Sequence, residues 1–245
     1  MCIRDSVIAD PEMNRLFLNR CRELGLGGTD FELNWKLFNG RKASLFSNMP
    51  KTRRYTPGKI DDFEFSSEIA FVHVKKLAEK RSGTELSLDR MLCDPDLACE
   101  FDKIASQLMP GFQSLEYRWV ALGIRKAAGR NLKKAIKLAQ PKFDLLGSTK
   151  SVRASRIPKE QGLYLFSCQD QPLFVSHTND LRNRIERHFD SSENAGIPSW
   201  LFDRGRNAIK LGVVPLESVS QSQRKLLGLK AVSTLEPSFN YVCKA

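Results

Sequence analysis

Along the first 130 or so residues, apolar side chains return every three or four positions, the spacing of helices with one inward face. Asp10 followed by Pro11 reads as a helix start, an acidic cap and then proline at the first helical position. Leu16, Phe17 and Cys21 follow at helical spacing, and Leu24 to Gly28 ends the element. A second helix is predicted from Thr29 or Asp30, carrying Leu33, Trp35, Leu37 and Phe38. Pro50, Pro57 and Gly58, set among Lys51, Arg53 and Arg54, predict a loop over 48–59. A third helix is expected over 66–80, with Ile69, Val72, Val74 and Leu77 inward. His73 within that run reads as a core or boundary residue. The stretch 87–109 reads as helical with a break at Asp94-Pro95, and 114–128 is the clearest helix of this half, with Leu115, Trp119 and Leu122 at helical spacing. No strand-like alternation is visible before about residue 160.

The pattern then changes. Gly162 to Phe166 and Leu173 to Val175 are short apolar runs separated by Gln169-Asp170-Gln171-Pro172, which predicts a hairpin. Thr178 is placed to cap a helix whose inward stripe is Leu181, Ile185 and Phe189. A third strand is expected over 207–215 and a last helix over 220–234, stopped before Pro237. The reading is α+β: a helical domain over 1–130, a basic linker over 131–157, and a small domain over 158–245 with a three-stranded antiparallel sheet flanked by helices.

Charge adds a second layer. The chain of 245 residues has a formal net charge of +11 and 41% hydrophobic residues, so a packed core and a polyanionic partner are both expected. The excess is local. From Arg118 to Lys159 there are 12 basic residues and one acidic residue, Asp144; from 161 to 245 there are 10 basic and 8 acidic. Lys133, Lys134 and Lys137 in that segment, with Arg182 and Arg187 further on, are the candidate nucleic-acid contacts. A solvated helix face followed by a soluble tether explains the same charges without a partner. Trp35, Trp119 and Trp200 are candidate anchors for a protein partner, though tryptophan is more often core.

The six cysteines form no CxxC pair, which fits reduced thiols in a cytoplasmic protein better than a zinc site. No apolar run approaches the ~20 residues that span a bilayer, so no membrane partner is expected. Met1 to Ser6 lacks the apolar core of a signal peptide and fits no obvious element; it is set aside.

Four short pieces after residue 160 belong together: Gly162-Leu163-Tyr164; Phe174-Val175-Ser176, beginning ten residues after the tyrosine; Thr178 to Ile185; and Glu236-Pro237-Ser238-Phe239-Asn240. In this order and spacing they resemble the signature of the GIY-YIG endonucleases, over about the last third of the chain. The resemblance implies phosphodiester hydrolysis, in which a tyrosine helps to activate water, an arginine offsets phosphate charge and a glutamate holds Mg²⁺ or Mn²⁺. Tyr164, Arg184, His188 and Asn240 match the expected site residues. Phe174 stands where a second tyrosine is expected, and Gly228 where the metal-holding glutamate is expected. Ser176 and His177 also depart from the pattern. Neither Glu217 nor Glu236 obviously substitutes for the missing carboxylate. No cofactor is therefore expected, and Mg²⁺ or Mn²⁺ only if the site is active. The leading expectation is a DNA-binding protein with weak or absent cleavage. The alternatives are an active endonuclease of a restriction, repair or mobile-element system, and a protein-interaction module.

Overall fold

The computed structural model describes residues 3–43, 45, 60–189 and 208–242. Trp200 and the expected loop at 48–59, with its cations, lie outside them. Among the described residues the chain is α+β and mostly helical, with one four-stranded antiparallel sheet. It divides into two compact units, residues 1–106 with 111–122, and residues 107–110 with 123–245.

The first unit is helical. It contains α1 (Ile3–Ala9), α2 (Pro11–Glu23), α3 (Asp30–Lys42), α4 (Ile60–Ser82), α5 (Leu88–Cys93), most of α6 (Pro95–Leu108) and the first part of α7 (Ser114–Ala135). The segment that fitted no element thus begins a helix, and Ile8 and Ala9 at its end are buried. Asp10 caps α2 as expected, its carboxylate accepting from the backbone N–H of Glu12 at 3.0 Å and Met13 at 3.3 Å. Two polar contacts organise the interior. Asn14 and Asn34 pair at 2.7 Å, and Asn34 also donates to the Cys93 carbonyl at 3.0 Å, tying α2, α3 and the end of α5. Arg118 forks onto both oxygens of Asp102, the shortest contact 2.6 Å, with little of either side chain exposed. Arg118, counted at the head of the basic segment, is therefore an interior residue.

The second unit holds the sheet, in the order β1-β4-β2-β3. The strands are β1 (Asp144–Ser148), β2 (Gly162–Cys168), β3 (Gln171–Thr178) and β4 (Ile209–Pro215). The expectation of three strands is corrected to four. The added one, β1, lies inside the stretch expected to be a linker and pairs antiparallel with β4, Asp144 opposite Val213. Its five residues are interrupted by Gly147, at φ 121°, with a register shift between Leu145 and Gly147. A bulged edge strand shows no clean alternation, which is why its sequence does not announce it. A 3₁₀ turn at Ala154–Arg156 follows.

Every residue of β2 is buried, as befits a strand with neighbours on both edges and helices on both faces. Gln169 (φ 49°) and Asp170 (φ 65°) make the β2–β3 turn, a two-residue loop with both central residues left-handed. Helix α8 (Leu181–Phe189) packs on the face that carries Tyr164 and Phe166. Helix α9 (Gln221–Leu235) packs on the other, where Leu165, Val175, Ala231 and Val232 form a cluster. Ser220 and Gln223 close α9 with a reciprocal capping box. At α8 the capping carboxylate is Asp180, which accepts from the Asn183 N–H at 3.0 Å. Thr178, expected as that cap, instead accepts from the Asp180 N–H one step earlier, at 3.2 Å.

Candidate functional site

Strand alternation puts Tyr164, Phe166, Phe174 and Ser176 on the α8 side of the sheet, and Leu163, Leu165, Val175 and His177 on the α9 side. The glycine before Tyr164 is there for space. A β-carbon on Gly162 would stand 2.3 Å from the Val214 carbonyl oxygen and 2.8 Å from a Leu181 methyl, closer than atoms can pack.

Helix α8 turns Leu181, Arg184, Ile185 and His188 inward. Arg184 and His188, one turn apart, share a side as their spacing requires, and it is the side facing the sheet. The Tyr164 hydroxyl and His188 Nε2 meet at 2.7 Å, and the two residues are 0% and 1% exposed. Phe166 and Phe174 complete the surroundings, with ring centres 5.5 and 6.3 Å from that of Tyr164. Position 174 therefore does adjoin the tyrosine, and contributes a ring without a hydroxyl.

Burial holds the His188 imidazole well below its ordinary pKa, and the positive charges of Arg184 and Arg187 lower it further. His188 is thus neutral at physiological pH. A neutral imidazole can accept from the phenol or donate to it, according to tautomer. The pair has the atoms for moving a proton to or from Tyr164.

The other matched positions fall elsewhere. Gly228, on α9, would place a β-carbon 3.7 Å from both Leu163 and His177, on the sheet face opposite Tyr164. Asn240 lies along the edge of β3. Its side-chain oxygen accepts from the Val175 N–H at 2.7 Å and its amide donates to the Val175 carbonyl at 2.8 Å. Ser238 and Phe239 continue that edge, donating to the carbonyls of Pro172 and Leu173. Glu217 is exposed and lies beside Glu160, whose carboxyl pKa is raised by desolvation and then by the Glu217 charge. The groups gathered at Tyr164 are thus a phenol, an imidazole, guanidinium groups and aromatic rings. That donor set does not fit Mg²⁺ or Mn²⁺, which take hard oxygen ligands and usually a carboxylate. Among the described residues no group of three or more His, Cys, Asp or Glu side chains is arranged to hold a metal ion.

Of the candidate nucleic-acid contacts, Lys133, Lys134 and Lys137 are exposed at and just beyond the end of α7. Arg187 is half-buried and reaches the Met109 sulfur at 3.7 Å within the same unit. Arg182 is engaged internally, its guanidinium donating to the carbonyls of Ile157 at 2.8 Å and Ser155 at 3.5 Å. It pins the segment that follows β1 against the start of α8. Of the tryptophans, Trp119 is buried and Trp35 lies half-buried in a stack between Phe31 and Phe38, with Arg90 over its ring.

One residue that sequence reasoning passed over is Arg224, the largest fully buried side chain among the described residues. It donates to Gln161 Oε1 and Asn179 Oδ1, and Gln161 in turn donates to the carbonyls of Leu216, Glu217 and Val219. The network joins α9 to the residues just before β2 and just after β3. Asn179 belongs to the third motif piece, so part of that signature serves this network. A lone arginine one turn into a helix gives no sequence signal for such a role.

Among the described residues no helix is long and apolar enough to cross a membrane. No disulfide forms among Cys21, Cys93, Cys99 and Cys168. Searched against family models, curated proteins and solved structures, the chain has no match in any of the three.

Proposed function

We propose that this is a nucleic-acid-binding protein, with DNA the expected partner, whose second unit is a GIY-YIG nuclease-like domain with weak or absent cleavage. The observation that carries the reading is the run of exposed cations from Arg130 to Lys159. Arg130, Lys133, Lys134, Lys137, Lys142, Lys150, Arg153, Arg156 and Lys159 all point to solvent, with Asp144 the one acid among them. Such a surface gains affinity for phosphates by releasing their counterions, and loses it as salt rises. The test is anisotropy of labelled DNA. An affinity that drops at least tenfold between about 50 and 200 mM salt is expected; an affinity indifferent to salt overturns the reading.

Weak cleavage follows from two features of the site. The Tyr164–His188 pair is closed to solvent, where an attacking water must reach it. Position 228 offers no carboxylate, and its β-carbon direction leads to Leu163 and His177. The competing reading, an active endonuclease, draws on the 2.7 Å contact, since a tyrosine can pass its hydroxyl proton to His188 Nε2 as it takes one from water. Plasmid incubated with Mg²⁺ or Mn²⁺ separates the two. Nicking that disappears in both Tyr164→Phe and Arg184→Ala establishes the enzyme; no nicking leaves the binding protein.

A further inference from the structure

Between α8, β4 and the segment after β1 lies an open cleft of about 410 Å³, lined by neither Tyr164 nor His188. That volume is in the range of sites for small organic groups, ~300–1,000 Å³. One wall is the segment after β1, through Val152, Ala154 and Ile157. Ile185 and Phe189 of α8 and Leu211 of β4 complete the lining. Two polar groups sit among these apolar ones, the Thr149 hydroxyl and the exposed Glu186 carboxylate.

The segment alternates. Val152, Ala154 and Ile157 line the cleft, while Lys150, Arg153 and Arg156, interspersed with them, are exposed. Arg182 fixes this segment to α8 through the Ile157 and Ser155 carbonyls, so the wall is anchored. The result is a cleft of mixed apolar and polar surface, with the Phe189 ring and the Glu186 carboxylate in its lining, near three exposed cations in sequence. This is the chemistry of a flat heterocycle carrying N–H donors and flanked by phosphates. A paired base inside a duplex cannot enter such a slot without being unstacked; a base in a single strand can.

We propose that the cleft receives an unpaired nucleobase, with Lys150, Arg153 and Arg156 holding the phosphates on either side. The basic surface then selects single strands over duplex. This rests on the nucleic-acid reading and names its substrate class. The base lies against Phe189, and its N–H groups donate to Glu186 or Thr149.

The test compares four labelled ligands of one length at one salt concentration: a DNA strand, the same strand with abasic residues, its duplex, and an RNA strand of that sequence. The DNA or RNA strand is expected to bind about tenfold tighter than the abasic strand and the duplex, since a stacked base contributes that much. Ala154→Trp fills the slot from an exposed position and leaves the cations in place. It is expected to bring the tighter strand down to the abasic level while duplex binding holds. Equal binding of base-bearing and abasic strands, or a preference that survives Ala154→Trp, overturns the slot and leaves the basic surface standing. Binding of none of the four ligands removes the nucleic-acid reading, and the slot with it. The RNA arm shows which sugar the preferred strand carries.

Discussion

The hydroxyl of Tyr164 and Nε2 of His188 meet at 2.7 Å inside the second unit, joining the central strand to the helix that covers it. Whatever chemistry the pair performs, it is also a structural bond. A buried polar group left without its partner costs about 1–3 kcal/mol. Tyr164→Phe is therefore expected to lower unfolding stability by that amount, read from urea titrations. His188→Phe is expected to cost at least as much, and the double variant less than the sum of the two, because the hydrogen bond can be lost only once. Additive losses would mean that the two groups do not interact.

The depressed pKa of His188 makes stability depend on pH, and the sign follows from where the proton binds. Above the unfolded value, about 6.5, neither state is protonated and the histidine has no effect. Below it the unfolded chain takes up a proton that the folded chain excludes, so stability falls with pH until the folded pKa is reached. The expected slope attributable to this residue approaches about 1.4 kcal/mol per pH unit below pH 6. Thermal melts from pH 8 to pH 5 check it. His188→Gln, which cannot titrate, is expected to flatten the curve; an unchanged curve would assign the dependence to other groups.

Much of this unit is legible in its sequence, for a definite reason. β2, β3, β4, α8 and α9 carry apolar residues toward one or two covered faces, and the irregularity in the β2–β3 pairing comes only at its end, after Phe166. β1 is hidden because a bulge at Gly147 and a half-exposed position remove its alternation. The 2.7 Å meeting of Tyr164 with His188 could not be read from the spacing. The spacing of Arg184 and His188 puts them on one side of a helix, but whether that side faces water or the sheet depends on what packs there. Here Arg184 and His188 are buried with Leu181 and Ile185, and the His188 contact with Tyr164 shows that this side faces the sheet. Asn240 looks like a site residue in a motif and is a backbone partner in the fold, a difference that only the course of the final residues along β3 decides.

Gly228 offers a test of that disposition. It lies inside α9 with ordinary contact distances around a built β-carbon, so Gly228→Ala suffers no clash. Replacing a mid-helix glycine is expected to raise stability by about 0.5–1 kcal/mol. Gly228→Glu supplies the carboxylate that the resemblance calls for, but directs it toward Leu163 and His177. It is expected to destabilise the protein relative to Gly228→Ala and to give no metal-dependent nicking. Cleavage appearing in Gly228→Glu would mean that α9 presents this position to the Tyr164 face after all.

Gly162 is expected to tolerate nothing larger than hydrogen. Its β-carbon direction leads into the Val214 carbonyl oxygen, which belongs to the neighbouring strand and cannot swing aside as a side chain could. Gly162→Ala must push β4 or α8 outward, a strain of about 1–3 kcal/mol by comparison with overpacked cores. Because the residue also adjoins Leu181, the shift is expected to reach α8. Tyrosine fluorescence is too diffuse to follow it, but the one-bond amide shifts of Leu181 to Ile185 in a ¹⁵N spectrum would report it. A variant with wild-type stability and unmoved α8 resonances would contradict the close approach.

Asn240 makes the last prediction, because the fold assigns it a job separate from chemistry. β3 lies at the edge of the sheet, and its Val175 N–H and carbonyl face outward, where another strand could add. The Asn240 amide occupies both, doing with one side chain what a neighbouring strand does with its backbone. Asn240→Ala leaves that donor and acceptor without their partner, at a cost of about 1–3 kcal/mol. It also uncovers a short strand edge. The expected outcome is a lower midpoint in urea together with self-association that grows with concentration in sedimentation velocity, more than is seen for Tyr164→Phe of similar stability. Asn240→Asp keeps the acceptor and loses the donor, and is expected to fall between the two. Loss of nucleic-acid affinity in Asn240→Ala at concentrations where it stays monomeric and folded would instead move this residue from the sheet edge to the binding surface.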